Sequence, residues 1–525
     1  MPGYGPSSYE DVPYAGRPFD DTHPDRLATI ATLFGMTPPD VSRARVLEVG
    51  CGAGANLIPM AAGLPGGSFL GIDSSPRQVA EGRATIEAVG LANVELRPMD
   101  IRDAGAGLGT FDYIVCHGVY SWVPAEVQRQ VLSLIAATLA PEGLAYVSYN
   151  TYPGWHMRGI LRDAMLYHAG GEADPREAVR KGRDILEFLV QFPGTPENYY
   201  FTVVEKQRAG IVQEDSSYLL HEFLAEVNQP LYYHQFLERI AAEGLKAVAD
   251  AEFSKMACVA PRSLRAALGR GSQDPARQEG YLDLLRGRGL RRTLLCYGEV
   301  ELLAVPTESA VERLQAAAKV VPGSLTPELS ATVFERFQNW LNQAITIDHP
   351  LIKAALIVLG EHYPTALRFG DLWDAALARL SGAGVAVSAY GEPERRRLRA
   401  FLLRSCSGGW LELHSHAIPV VREPGERPAT TPLARHQAGS GGPVANLRHE
   451  SLDLPRFDRH LLRLLDGGRT QGELAEALEA LVAEGQLTIR AGDPGPTDAA
   501  SRRAIIAESV RQGLDRLAAQ AFLVV

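Results

Sequence analysis

The sequence predicts an α/β fold in its N-terminal part, with a doubly wound parallel sheet, and a mainly α-helical region after it. Three observations predict this fold. Apolar segments of strand length alternate with helical patterns over residues 45–150. A glycine-rich loop, Gly50 to Gly54, follows the first of these strands. The second strand ends in Asp73, and an acid about 20 residues beyond a glycine loop is placed to accept the hydroxyl groups of a ribose.

The elements of the predicted sheet follow in order along the chain. We predict strands at 45–49, 68–72, 93–97, 111–117 and 143–149, and helices near 55–62, 76–89 and 124–139. Strand and helix in turn favour a parallel sheet with helices on both faces. Residues 155–244 then have helical periodicity, and two further apolar runs follow at 245–251 and 292–303.

The glycine loop is the strongest indication of a ligand site. Residues 46–54 are V-L-E-V-G-C-G-A-G, with glycines at Gly50, Gly52 and Gly54. Glycine has no Cβ, so bare backbone can approach a ligand. The helix that should follow has free N–H groups that favour polar or anionic ligand groups. Two alternatives are a dinucleotide-binding loop, usually written G-x-G-x-x-G, and a glycine-rich turn without a ligand.

Polar and aromatic side chains follow the fourth and fifth predicted strands. His117 and Tyr120 come after the fourth strand, and Tyr149 and Asn150 end the fifth. Ligands of an open parallel sheet bind at the carboxyl ends of its strands, so we expect these side chains near a ligand. Aromatic faces attract cations, so this edge would suit an ammonium or sulfonium group. The alternative for His117 is a core or capping histidine.

Composition and charge exclude several classes of protein. A chain of 525 residues is too long for one core, and 46% hydrophobic with 22% charged residues is ordinary for a globular protein. The net charge of −10 gives no general attraction to nucleic acid or to an anionic membrane. No apolar run approaches the roughly 20 residues that span a bilayer, and we expect a cytoplasmic protein. Five scattered cysteines without C-x-x-C spacing indicate neither a disulfide framework nor a metal site.

The C-terminal part is predicted to be a separate, mainly α-helical region. We predict helices at 326–345, 350–362, 369–380 and 392–404, strand material at 408–421, and a linker rich in glycine and proline at 422–445. Three helices followed by a strand pair resemble a winged helix. Arg395, Arg396 and Arg397 open the helix that would read DNA, but the acidic chain favours a solvated, salt-bridged face.

Several motifs together resemble a known family. The pattern E-x-G-C-G-x-G, with Glu48 two positions before the first glycine, resembles the first motif of class I S-adenosylmethionine (SAM) methyltransferases. Further matches are S-Y and P-Y near the N-terminus, T-H-P, H-G-V-Y-S-W-V, N-T-Y-P-G-W, Y-L-L-H-E-F-L and N-L-R-H-E. This combination resembles bacterial methyltransferases with a methyltransferase regulatory domain, whose relatives include the rickettsial protein lysine methyltransferases.

The resemblance implies a fold and a domain organisation. It implies a Rossmann-like sheet of seven strands, so we interpret the runs at 245–251 and 292–303 as the last two strands. The methyltransferase domain would then cover residues 1–303, with a core at 40–155, a helical insertion at 155–215 and a regulatory region at about 216–303. A winged-helix-like and helical domain would cover 304–525. The alternative is a sheet that closes early and a separate domain over 155–300.

The resemblance also implies which residues hold the cofactor. Glu48 would reach the methionine amino end, Asp73 the ribose, Asp100 the adenine amino group, and the backbone of Ile101 a ring nitrogen. Asp100 has the alternative of a turn residue or a helix cap. The cofactor-binding residues expected on this basis are Glu48, Gly50, Gly52, Gly54, Asp73, Asp100, Ile101 and His117.

We expect methyl transfer from SAM to a nucleophilic acceptor, with S-adenosylhomocysteine (AdoHcy) as product. The expected acceptor is a lysine amine of a protein or peptide. The candidate positioning residues are Tyr14, His117, Tyr120, Tyr149 and Asn150, and His117 would be the leading base if the acceptor were an oxygen. Alternatives are a small-molecule O- or N-methyltransferase of secondary metabolism and a SAM-sensing regulator that uses the winged-helix-like domain. No nucleic acid or membrane partner is expected, and a homodimer is left open.

Overall fold

The computed structural model describes Val12 and residues 16–192, 199–487 and 499–524. Within these ranges, none of the helices combines the length and the apolar composition needed to cross a bilayer.

A seven-stranded sheet forms the centre of the N-terminal part. Its strand order is β3-β2-β1-β4-β5-β7-β6. β1 to β5 are parallel, and β7 pairs antiparallel with both β5 and β6. The predicted Rossmann-like sheet is therefore confirmed, including its last two strands. The strands are β1 Arg45–Val49, β2 Ser68–Asp73, β3 Val94–Pro98, β4 Phe111–Cys116, β5 Leu139–Asn150, β6 Leu245–Asp250 and β7 Leu290–Tyr297.

Helices cover both faces of this sheet, which explains why its central strands are apolar on both sides. The turn Asp20–Thr22 leads into the first helix, and α3 begins where the Ser75 side chain accepts a hydrogen bond from the Gln78 N–H. α3 ends at Gly90, whose φ of 70° is left-handed. The helices packed on the sheet are α1 Pro24–Leu33, α2 Leu57–Gly63, α3 Pro76–Val89 and α4 Ala125–Thr138.

Further helices lie between β5 and β6, where the insertion was predicted, and between β6 and β7. A π-helical turn, Leu220–Leu224, follows the short α8. These helices are α5 Gly154–Ala169, α6 Pro175–Gln191, α7 Tyr199–Ala209, α8 Ser216–Leu219, α9 Tyr233–Ala242, α10 Arg262–Gly271 and α11 Pro275–Arg286.

The predicted helix at 326–345 is wrong, because this segment contains an antiparallel hairpin. β10 Glu335–Asn339 pairs with β11 Ala344–Ile347 and with β9 Val320–Pro322. Burial alternates along β10, which is the two-residue period of a strand. The Asn339 carboxamide oxygen accepts hydrogen bonds from the backbone N–H groups of Leu341 and Gln343 and thereby fixes the turn.

The three helices predicted after this segment are confirmed. They are α12 Pro350–His362, α13 Phe369–Gly382 and α14 Glu392–Ser407. A second small sheet has the order β12-β8-β13, with β8 Gln315–Ala317, β12 Leu367–Arg368 and β13 Glu412–His414. The arginines at the start of α14 form ion pairs: Arg395 and Arg399 pair with Glu312, and Arg396 pairs with Glu308. This agrees with the predicted salt-bridged face.

The predicted linker at 422–445 is also wrong, because it contains a helix between two short strands. α15 begins after Thr431, whose side chain accepts a hydrogen bond from the Ala434 N–H, and Leu433 is buried. The glycines that suggested a linker lie at its end, where Gly441 has a φ of 83°. The remaining elements are β14 Ala429–Thr430, α15 Pro432–Ser440, β15 Val444–Ala445, β16 Ser451–Leu452, α16 Arg456–Leu464, α17 Gln471–Ala483, α18 Ala499–Ala519 and β17 Leu523–Val524.

A buried ion cluster fixes α11 against the sheet. Arg291 of β7 is 1% exposed, and its guanidinium donates to Asp283 at 2.7 Å and to Glu279 at 3.0 Å. The guanidinium also lies 3.8 Å from the ring centroid of Tyr233. Removing one partner of a buried pair leaves the other charges without compensation.

We expect Arg291→Met to lower the free energy of unfolding by about 3–5 kcal/mol, because Glu279 then stays buried without its cation and Asp283 keeps, among the described residues, only Arg288, at 3.8 Å. The matched control is Arg511→Met on α18, since the Arg511 side chain is 58% exposed in its pair with Glu508. Its effect should be small, because solvent screens an exposed ion pair. Urea unfolding of both variants checks this, and equal losses would contradict it.

Candidate active site

The glycine loop lies at the carboxyl end of β1, between β2 and β4, where the strand order reverses. Such a switch point is where open α/β sheets bind ligands. Gly50, Gly52 and Gly54 have φ values of 74°, 54° and 74°. A Cβ on Gly50 would lie 2.3 Å from Cγ2 of Val119, so no larger residue fits there. The turn therefore needs glycine at these positions, and the contact of its backbone with a ligand stays a prediction.

Asp73, at the end of β2, is bonded to the same loop. Its Oδ2 accepts a hydrogen bond from the Gly52 N–H at 2.8 Å, and its Oδ1 accepts one from the Ser75 N–H at 2.9 Å. The carboxylate thus fixes the glycine loop against the start of α3.

Asn56 joins four segments of the chain at this site, and the sequence did not single it out. Its Nδ2 donates to Glu48 Oε1 at 2.7 Å. Its Oδ1 accepts hydrogen bonds from the Phe19 N–H at 2.9 Å and from His449 Nε2 at 2.9 Å. The Thr22 hydroxyl lies 3.1 Å from Nδ2 and donates its own proton to the Phe19 carbonyl. We call these five residues the Asn56 network.

Glu48 is a buried acid with one free oxygen. Burial raises its pKa to about 8, the hydrogen bond from Asn56 opposes this shift, and the charge of Asp73 adds to it. Within the described residues, Glu48 Oε2 is buried and has no hydrogen-bond partner. A buried carboxylate oxygen of this kind calls for a cation. An α-ammonium group fits it, so the site fits the amino-acid end of SAM.

The segment before α1 contacts residues at the end of β4 and the start of β7. The ring of Phe19 lies 4.0 Å from that of His117, and Asp21 Oδ2 lies 2.8 Å from Arg292 Nε. Tyr14, a predicted positioning residue, lies outside the described residues.

His117 leaves β4 at the edge of the crevice and is partly buried. Its Nδ1 lies 2.9 Å from the Tyr146 hydroxyl. Burial lowers the pKa of His117 to about 3, and the positive charges of Arg292 and Arg17 add to this shift. The ring is therefore neutral at physiological pH and adds no positive charge to the site.

The structure places Tyr120 and Tyr149 in the hydrophobic core and not at the crevice. Their residues are 0% and 1% exposed, and the Tyr149 ring stacks on Phe236 at 4.1 Å. Tyr120 meets the same Phe236 ring edge-on at 5.5 Å. The sequence predicted both residues at strand ends. The register of the sheet decides on which face such a side chain lies, and the sequence did not give that register. Their prediction as acceptor-positioning residues is corrected to a packing role.

Asn150 and Asp100 make structural contacts. Asn150 is buried and donates a hydrogen bond from Nδ2 to Asn228 Oδ1 at 2.9 Å. Asp100 caps the turn Ile101–Asp103 by accepting the Arg102 N–H at 2.9 Å. Ile101 packs against the core cluster that contains Leu70 and Ile72. Asp100 and Ile101 thus lie one strand beyond Asp73, at the same edge of the sheet.

An aromatic rim lies where β5 ends, and it includes Tyr152 of the N-T-Y-P-G-W motif. We define the rim as Tyr152, His156 and Tyr232. The Tyr152 ring stacks on His156 at 4.1 Å and lies 5.1 Å from Tyr232. Its members are partly or fully exposed, unlike Trp155, which is 2% exposed and belongs to the core.

Three family models match the chain. Residues 46–143 match a methyltransferase domain, and residues 215–297 match a predicted methyltransferase regulatory domain. Residues 426–522 match the C-terminal winged helix domain of PKMT. This last match lies C-terminal to residues 326–420, where we predicted the winged helix.

Relatives cover nearly the whole chain. The uncharacterized protein RP789 of Rickettsia prowazekii is 30% identical over 493 residues, which are 92% of this chain and 87% of that protein. PKMT2 from Rickettsia typhi in complex with AdoHcy has a TM-score of 0.86 and 28% identity, and covers 98% of this chain and 100% of that one. The chain belongs to the rickettsial-type PKMT family of SAM-dependent methyltransferases. SAM is therefore its cofactor.

A C-terminal residue thus enters the Asn56 network. His449 lies within the match to the winged helix domain and is 3% exposed. The predicted family, fold and cofactor are thus confirmed, while each residue's contact with SAM stays a prediction.

We expect His449→Asn to weaken AdoHcy binding roughly fivefold. The variant loses the hydrogen bond from His449 Nε2 to Asn56, which helps to hold Asn56 against Glu48 and is worth about 1 kcal/mol. Asparagine suits the left-handed backbone at His449, whose φ is 60°, but is too short to reach Asn56. Calorimetric titration with AdoHcy measures the change. The control is His436→Ala, at an exposed position of α15, which should bind AdoHcy like the parent chain. Equal affinities for all three proteins would contradict the expected role of His449.

Proposed function

We propose that this protein transfers the methyl group of SAM to the ε-amino group of a lysine in a protein or peptide. The observation that carries the proposal is its likeness to PKMT2 over 98% of the chain, together with the match of residues 426–522 to the PKMT winged helix domain. A small-molecule methyltransferase needs the sheet to bind SAM, but it does not need a large C-terminal region to bind its acceptor.

The residues at the crevice fit the parts of the cofactor. Glu48 would hold the methionine ammonium, the backbone of Gly50 and Gly52 would lie against it, and Asp73 would hold the ribose. Asp100 and Ile101 would lie at the adenine end. When bound, SAM supplies a methyl group already activated by a positively charged sulfur, so alignment with the acceptor is the main task of the protein.

The residues near the expected acceptor position favour an amine as the acceptor. Lysine must be neutral to attack, and a dry environment near positive charge lowers its pKa. The aromatic rim attracts an ammonium group as it enters, since aromatic faces bind cations. His117 is neutral because burial lowers its pKa to about 3, so it does not repel an incoming lysine.

We expect AdoHcy affinity to rise between pH 6 and 7.5, by up to about tenfold per pH unit. In the free protein the pKa of Glu48 is raised to about 8, so the carboxyl must release a proton to bind the ammonium. Affinity therefore falls as pH falls below 8. Calorimetry in buffers of different ionisation enthalpy measures the released proton. Glu48→Gln should bind more weakly and lose the pH dependence; a variant with the parent's pH dependence would contradict the assignment.

The acceptor is tested with radiolabelled SAM and a bacterial lysate separated into macromolecules and small molecules. We expect label in the protein fraction, and its loss when the lysine amines are blocked by reductive methylation beforehand. Glu48→Gln is the control for cofactor-dependent labelling. Label in the small-molecule fraction alone would overturn the lysine proposal and favour a metabolite acceptor.

A further inference from the structure

Three polar side chains form a row from the crevice to the N-terminal segment. His117 Nδ1 lies 2.9 Å from the Tyr146 hydroxyl oxygen, which lies 3.4 Å from Asp21 Oδ2. His117 follows β4, Tyr146 belongs to β5, and Asp21 lies in the turn before α1. Because Nδ1 faces Tyr146, Nε2 is the ring nitrogen left to meet a substrate.

The charge of Asp21 selects the tautomer of His117. A tyrosine hydroxyl has one proton to donate. When Asp21 is ionised, Tyr146 donates to its carboxylate, and the Tyr146 oxygen accepts the proton of Nδ1–H. The neutral ring then has a lone pair on Nε2. When Asp21 is protonated, the direction reverses, Tyr146 donates to Nδ1, and the ring proton moves to Nε2.

We propose that His117 is the base that takes a proton from the acceptor amine, and that Tyr146 and Asp21 are positioning residues that keep its Nε2 unprotonated. This inference rests on the proposed function, since it requires an acceptor that arrives as an ammonium. A lone histidine at a strand end would have no fixed tautomer, whereas this one is held by partners from two other elements, β5 and the turn before α1.

The proton transfer balances along the row. The Nζ–H bond of the lysine breaks as an Nε2–H bond forms. The Nδ1 proton passes to the Tyr146 oxygen as the Tyr146 hydroxyl proton passes to Asp21 Oδ2. The lysine nitrogen keeps the electron pair of the broken N–H bond. That pair then forms the bond to the methyl carbon as the sulfur–methyl bond breaks.

Burial decides where the proton rests. It lowers the pKa of His117 to about 3 and raises that of Asp21 to about 6, so the carboxylate is the stronger base of the two. The charged groups that shift the pKa of Asp21 are the neighbouring Asp20, Arg26 of α1, Glu252 after β6 and Arg292 of β7. Those that shift the pKa of His117 are Arg292 and Arg17. The Tyr146–Asp21 distance exceeds the usual 2.7–2.8 Å of a hydroxyl bond. Catalytic hydrogen bonds of this length commonly tighten in the substrate complex.

The tautomer is tested without any acceptor, by nitrogen NMR of the full chain labelled with [15N]histidine, with His117→Gln to assign the signal. We expect a neutral His117 ring with its proton on Nδ1. Tyr146→Phe removes the partner of Nδ1 and should shift the ring toward the Nε2–H form. Asp20→Asn, an exposed neighbour, is the control and should keep the parent tautomer. A proton on Nε2 in the parent chain, or a tautomer unchanged in Tyr146→Phe, would overturn the proposal.

The pH profile of methyl transfer at saturating SAM is the second readout. We expect the parent rate to fall as pH drops below about 6, because protonation of Asp21 moves the ring proton to Nε2. Asp21→Asn should lower the rate at least tenfold and remove this acidic limb, while AdoHcy affinity changes by less than about threefold. Asp20→Asn should keep the limb. If the rate of Asp21→Asn still falls below pH 6 as in the parent, the role of Asp21 is contradicted. If the parent chain does not bind AdoHcy, the proposed function itself is contradicted.

Discussion

The geometry of the cofactor crevice depends on one buried carboxamide. Asn56 offers one oxygen and one NH₂ group. The Phe19 N–H can only donate, so Oδ1 must face Phe19 and Nδ2 then faces Glu48 Oε1. A buried polar group that loses its partner costs about 1–3 kcal/mol. The side chain therefore holds Glu48, the N-terminal segment and His449 in one arrangement. Asn56 thereby couples the sheet to the region that matches the winged helix domain, at the predicted position of the cofactor.

Burial sets the charge of the groups around this carboxamide. It raises the pKa of Glu48 to about 8 and that of Asp21 to about 6, and it lowers the pKa of His117 to about 3. Each shift favours the neutral form. The charge of Arg292 partly offsets the shift at Asp21, whereas the charges of Arg292 and Arg17 add to the shift at His117. The site predicted for the cationic cofactor thus contains acids that can ionise and a histidine that stays neutral.

The sequence predicts the sheet well because its signals are local. β1 to β5 alternate with helices, and Asp73 follows the glycine loop at the distance that a βαβ unit requires. The hairpin of β10 and β11 was mistaken for a helix, since its buried positions include the polar Glu335 and Asn339. Tyr120 and Tyr149 were misplaced because a strand-end side chain can face either side of a sheet. Asn56 and His449 could not be paired, since 393 residues separate them and only the tertiary fold brings them together.

The central claim is that His449 acts on the cofactor site through Asn56, and a double-mutant cycle tests it most directly. AdoHcy binding would be measured by calorimetry for the parent chain, Asn56→Ala, His449→Asn and the double variant. We expect the histidine substitution to have no further effect once Asn56 is alanine, because the group it contacts is gone. Additive losses from the two substitutions would contradict the account.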